Sequence, residues 1–293
     1  MLPTVKSESP ELPFELLRDI FELAIATTPG CAVKFALVSS TAQEWIESII
    51  YKTIVLDLPV KKTKLFLQTL ESRQPTFFAA KVKNLHVTTF VSFPEVQQIL
   101  SVCTGLDNLT CWADVQPFNE LRPLIPVNRL QKLSIKIETF WGISTGFRYF
   151  DAEMFPCLSH LEIVNPPCDD SSLKVDWEGL CKLPKLTHLA IGSLWAITHN
   201  HVVEVIRMLL EKSDTLQALL IISMDDDFIE LVKEHGLRDN PRVVVMPTFD
   251  SFAETEAEYW KAVVQGGPDF WTAADKVVQK QTEEGYQENF IRK

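Results

Sequence analysis

Six copies of one short apolar pattern constrain this chain more than any other feature of its sequence. The pattern, apolar-x-x-Leu-x-apolar, occurs as Val82-x-x-Leu85-x-Val87, Leu106-x-x-Leu109-x-Cys111 and Leu130-x-x-Leu133-x-Ile135. It continues as Leu158-x-x-Leu161-x-Ile163, Leu186-x-x-Leu189-x-Ile191 and Leu216-x-x-Leu219-x-Ile221. The central leucines lie 24, 24, 28, 28 and 30 residues apart. That spacing exceeds a hairpin and suits a strand, a turn, a helical return and the next parallel strand. Such a unit buries its apolar face only against its neighbours, so the copies must stack into one array. Ile54-Val55-Leu56 reads as an opening strand and Val243-Val244-Val245 as a closing one.

Between the strands, Thr63 to Ser72 and Phe93 to Cys103 carry helical apolar spacing, and His201 to Leu210 carries it most clearly. Asp225-Asp226-Asp227 reads as an acidic helix start, with the helix ending near Gly236. Gly142 to Phe155 and Asn165 to Leu183 read as long loops on the rim. Strand alternation turns the leucines inward and the residues between them onto an expected open, concave face. Asn108, Trp112, Lys132, Lys136, His160, Glu162 and His188 on that face are the candidate target-binding residues, with Trp112 as the anchor. Two alternatives stay open: Trp112 packs on a neighbour and the C-terminal tail covers Leu220 and Ile222, or the rim around Trp141 and Phe147 takes the target.

The first fifty residues read differently. Leu17, Ile20, Phe21 and Ala24 form a helical stripe after Pro13, and Leu16 and Leu23 form a second row beside it. A helix with that much apolar girth is buried on two sides or awaits a partner. Cys31 to Val38 suits a second helix, and Thr41-Ala42-Gln43-Glu44 has the pattern of a capping box opening a third.

Two resemblances follow from these residues. L-P-x-E-L-L-x-x-I-F from Leu12, then L-V-S, a Trp seven residues after Val38, and Y-K-T-I-V-L together resemble an F-box. The strand array resembles the leucine-rich repeats found behind many F-boxes, in degenerate form. The order of parts is similar to that of F-box-like proteins abundant in mushroom-forming fungi. Thr27-Thr28-Pro29-Gly30 departs from the family's acidic second-helix start. The resemblance implies an α/β chain divided into a three-helix F-box (1–50), an irregular solenoid with parallel strands inside and helices outside (51–248), and a C-terminal helical cap (249–293). It implies a substrate-recognition adaptor of a Skp-cullin-F-box ubiquitin ligase. Leu12, Pro13, Leu16, Leu17, Ile20, Phe21, Leu37, Val38 and Trp45 would then meet a Skp-family adaptor, and through it a cullin. The alternative is a repeat scaffold whose first helices are only a cap.

Composition narrows the function classes. A net charge of −11 lacks the basic face that nucleic acid requires. No apolar run reaches the length of a membrane span. Six cysteines without close pairs, and no secretory signal, point to a reducing cytoplasmic or nuclear setting. There is no phosphate-cradling glycine loop, no G-x-S-x-G elbow and no zinc-ligand spacing, so no enzyme chemistry, cofactor or metal is expected. In the tail, Trp260, Val263 and Val264 precede a Gly-Gly-Pro break, and Asp269 is placed to cap a last helix bearing Phe270, Ala274, Val277 and Val278.

Overall fold

Repeating leucines demand repeating strands, and the computed structural model supplies them. It describes residues 12–28, 30–114, 120–142, 146–246, 259, 263 and 267–284. The segment 249–265 apart from Tyr259 and Val263, and residues 285–293, lie outside the described residues. Contacts divide the chain into two compact units, Met1–Thr53 and Ile54–Lys293. The described residues of the C-terminal tail fall in the same unit as the strands.

The first unit contains helices α1 (Phe14–Thr27), α2 (Ala32–Phe35) and α3 (Ser40–Lys52). Its interior is aromatic: the Phe21 ring lies 5.5 Å from Phe35 and 6.4 Å from Trp45. Ala42 and Ile46 of α3 are buried, whereas α1 contains no fully buried residue. The Ser39 hydroxyl, not Thr41, caps α3, accepting from the Ala42 N–H at 3.0 Å. Ser39, Ser40 and Thr41 all suit a cap; Ser39 has the extended backbone that the position requires.

The second unit is ordered around one sheet. Its strands and helices run β1 (Thr53–Leu56), α4 (Lys61–Ser72), α5 (Pro75–Lys81), β2 (Asn84–Val87), α6 (Phe93–Val102) and β3 (Asn108–Cys111). Then come β4 (Lys132–Ile135), α7 (Ile137–Trp141), β5 (Gly146–Arg148), β6 (His160–Ile163), β7 (Leu173–Val175) and α8 (Trp177–Leu180). β8 (His188–Ile191), α9 (Asn200–Lys212), β9 (Ala218–Ile222), α10 (Asp226–Glu234), β10 (Val243–Met246) and a final helix, Phe270–Glu284, complete it. Among the described residues, eight strands form one sheet in the order β1-β2-β3-β4-β6-β8-β9-β10. Pairing from β2 to β10 is parallel, and Leu85, Leu109, Leu133, Leu161, Leu189 and Leu219 share one register with Val243. All six leucines are buried. The α/β class and the parallel array thus agree with the sequence reading.

Helical returns are present at both ends of the array and thin in its middle. α6 begins with a reciprocal capping box between Ser92 and Glu95. α9 buries Val202, Val203, Ile206, Leu209 and Leu210. α10 starts at the three aspartates and stops before Gly236, whose φ of +66° is a conformation glycine adopts without strain. Among the described residues, the connections from β3 to β8 hold a 3₁₀ turn, the short helices α7 and α8 and the short strands β5 and β7. The two expected rim loops are partly ordered, because β5 and β7 pair in parallel as a second, two-stranded sheet. Among the described residues no helix is long and apolar enough to cross a membrane.

Candidate functional site

Alternation along each strand sends two rows of side chains to the face opposite the leucines. One row is Asn84, Asn108, Lys132, His160, His188 and Ala218; the next is His86, Thr110, Ser134, Glu162, Ala190 and Leu220. Every residue chosen as target-binding from sequence does reach this face or its edge, but the face is not open. Trp112 is 4% exposed, Glu162 1% and His188 6%. The cover is the chain's own tail. Tyr259, Phe270, Trp271 and Ala274 form one buried cluster with Trp112, Ala190, Ala218, Leu220, Ile222, Val244 and Met246. An open-face site at Asn108, Trp112, Lys132, Lys136, His160, Glu162 and His188 is therefore corrected.

Most polar groups on the face are already engaged, although among the described residues the Asn108 Oδ1 is buried without a hydrogen-bond partner. The Trp112 indole N–H donates to the Ser134 hydroxyl at 2.7 Å, and Ser134 donates in turn to the buried Glu162 carboxylate. This relay crosses β3, β4 and β6, so the polar half is satisfied sideways along the sheet. The Asn108 amide donates to Asn84 at 2.6 Å, and the Lys136 ammonium sits 2.6 Å from Asp114. The His160 and His188 rings stack at 4.2 Å, with Trp271 nearly perpendicular to both. Asp275 lies 2.8 Å from His188 Nε2, and Lys132 lies 3.2 Å from Asp269. Asp269 also accepts from the Thr272 N–H at 2.8 Å, which caps the final helix. Burial opposes charge on Asp269, but Thr272 and Lys132 outweigh it and hold its carboxyl below the usual range.

The buried imidazoles give the face a pH dependence. Burial lowers His86 to about 4. Burial first, then the nearby His188 and Lys132, lower His160 to about 3. Both rings are neutral in the folded chain and take up protons near pH 6.5 when unfolded, so unfolding binds protons below that pH. Stability is therefore complete above pH 6.5 and falls as pH drops from 6.5 toward 4, by up to about 1.4 kcal/mol per pH unit for each ring. Asp269 adds its loss only below about pH 4, where its unfolded form begins to protonate. Urea midpoints measured from pH 7.5 to 4.5 should fall below 6.5, and His160→Gln should flatten that slope. An unchanged slope would show that His160 does not carry it.

Two other surfaces present exposed apolar side chains. On the first unit, Leu12, Phe14, Leu16, Ile20, Leu23, Val33, Leu37 and Val38 are all exposed, Leu37 to 83%. Pro13 is exposed beside them, while Leu17, Phe21 and Trp45 are half-buried and point inward. The nine residues assigned to adaptor contact thus divide into six that face solvent and three that hold the unit together.

The second surface is the rim at the C-terminal ends of the strands. Phe147 and Tyr149 lie stacked in and after β5, and Trp195, Ile197 and Met224 follow β8 and β9, all exposed. Trp141, read as a rim residue beside Phe147, is instead buried between Phe140 and Phe150. For Trp195, Ile197 and Met224 the signal was legible, because each sits past a strand end, outside the alternation that would bury it. Two clefts open along the rim. One of about 460 Å³ is lined by Phe147, Leu173, Val175 and Trp177, and one of about 420 Å³ by Ile197, Leu231 and Asp227. Among the described residues no group of three His, Cys, Asp or Glu side chains is placed to hold a metal ion. No protein-family model matches the sequence, and no curated protein matches it at a significant level.

Proposed function

We propose that this chain is a non-catalytic substrate-recognition adaptor of a Skp-cullin-F-box type ubiquitin ligase. In this reading the first unit is an F-box that docks a Skp-family adaptor, the second is a degenerate leucine-rich-repeat domain that carries a target, and the setting is cytoplasm or nucleus. One observation carries the reading: the side chains that the F-box resemblance assigns to adaptor contact include six left bare. Leu12, Pro13, Leu16, Ile20, Leu37 and Val38 are exposed around a small unit whose inward side is already filled by Phe21, Phe35 and Trp45. A patch of bulky apolar groups on so small a unit is the usual mark of a protein contact. A subunit of this kind accelerates transfer by holding target and conjugating enzyme together, which asks no acid, base or nucleophile of it.

The test is capture of a purified Skp-family adaptor by the full chain. Leu16→Asp combined with Ile20→Asp should weaken capture at least about tenfold, because a charge replaces an interface anchor. Circular dichroism should be unchanged, since neither side chain is buried. Equal capture by wild type and variant, or none by wild type, would remove the ligase reading.

A further inference from the structure

With the sheet face closed by the tail, a target must meet the second unit elsewhere, and the rim is where bulky apolar groups stand free. The alternation of β5 turns Phe147 outward with Tyr149, while Phe150 is buried. In β7, Leu173 and Val175 are buried and Lys174 is exposed, in register with Phe147. Beyond them, Asp169 binds the first turn of α9 through the Asn200 and His201 N–H groups. His201 lines the first cleft and Asn200 the second, so the two clefts meet at that turn. At the far side stand Ile197, 91% exposed, and Trp195, 54% exposed. Exposed Trp, Tyr and Phe are the side chains that anchor interfaces.

The charge at this rim selects the partner. Asp227, Glu230 and Glu234 line the cleft beside Ile197, and Asp226 is exposed next to them. Glu230 pairs with Lys233 at 2.9 Å, but among the described residues Asp226, Asp227 and Glu234 make no ion pair. An acidic or nucleic-acid ligand would be repelled there, whereas a cation beside an apolar anchor would be attracted.

We propose that the rim from Phe147 to Ile197 docks a linear segment of the target protein in which a bulky apolar side chain is flanked by lysine or arginine. The apolar residue enters a cleft, and the cations lie over Asp227 and Glu234. This deepens the adaptor reading and rests on it for the word target; the surface itself does not depend on the first unit.

The experiment pans the full-length chain against a random-peptide phage library and measures a synthetic copy of an enriched peptide by fluorescence anisotropy. Enriched peptides should pair Trp, Phe, Leu or Ile with nearby Lys or Arg. Ile197→Asp should weaken binding about tenfold or more, the range of an interface anchor. Asp227→Lys with Glu234→Lys should turn the selection toward acidic peptides. Lys174→Glu should tighten the basic peptide, a gain that misfolding cannot imitate. No enrichment, enrichment without basic residues, or binding indifferent to Ile197→Asp overturns the proposal. So does self-association abolished by Ile197→Asp, since the exposed Leu58, Val60, Lys61 and Lys62 of a second copy would then be the occupant. Peptide binding without adaptor capture refutes only the ligase reading, and capture without peptide binding refutes only the rim.

Discussion

Replacing Trp271 by alanine is expected to lower the stability of the strand-bearing unit by about 3–5 kcal/mol, the range for removing a large buried aromatic. The indole centre lies 4.4 Å from that of Phe270, 5.1 Å from His160 and 5.9 Å from His188, steeply inclined to both imidazoles. No smaller residue spans those partners, and the cluster beneath includes Leu220 and Val244, both fully buried. The loss combines the transfer cost of the ring with an unfilled cavity between the final helix and the sheet. Denaturant unfolding followed by tryptophan-independent circular dichroism measures it. A loss under about 1 kcal/mol would show that the tail rests on the sheet without packing into it.

Leu189→Ala should cost about 2–5 kcal/mol, the range for a buried leucine. Leu189 is at the centre of β8, in register with Leu161 on one side and Leu219 on the other, and is fully buried. Parallel neighbours on both sides hold the backbone in place, so the vacancy has little room to collapse. The same change at Leu23 of α1, which is 66% exposed, should cost little, because its side chain already lies in water. Similar costs at the two sites would contradict the burial pattern on which the sheet is built.

What was legible in the sequence, and what was not, divides along a physical line. Register was legible, because a period of two fixes which side chains share a face and a one-residue slip would turn Leu161 outward. The occupancy of the second face was legible only as one of two readings, the tail covering Leu220 and Ile222 or an open face around Trp112. Ala218, Leu220 and Ile222 announce an apolar surface, but alternation states only the side on which a residue lies, never what stands against it. The covering helix has its own stripe of Phe270, Ala274, Val277 and Val278, and the two halves of that contact are far apart in the chain. Trp112 misled for a related reason. An aromatic in a face register suits an anchor or a core equally, and its relay through Ser134 to Glu162 depends on side chains from two other strands. The thin middle of the array was not readable from the spacings. The 24 residues from Leu85 to Leu109 hold α6, whereas the described residues of the 28 from Leu133 to Leu161 and from Leu161 to Leu189 hold only short helices and strands. On the first unit, excess apolar girth in α1 was visible in the sequence, whereas the split between inward Leu17 and outward Leu16 needed the positions of Phe35 and Trp45.

The cover of the sheet is also the last described element to leave the ribosome. β1 to β10 are all made before Phe270–Glu284 exists. At about 5–20 residues per second, synthesis leaves the surface around Leu220, Val244 and Met246 bare for seconds. During that interval the nascent array presents a strongly apolar face of the kind that chaperones shield. Translation speed over the tail, and early termination within it, therefore bear on whether this protein accumulates, independently of how stable the finished fold is.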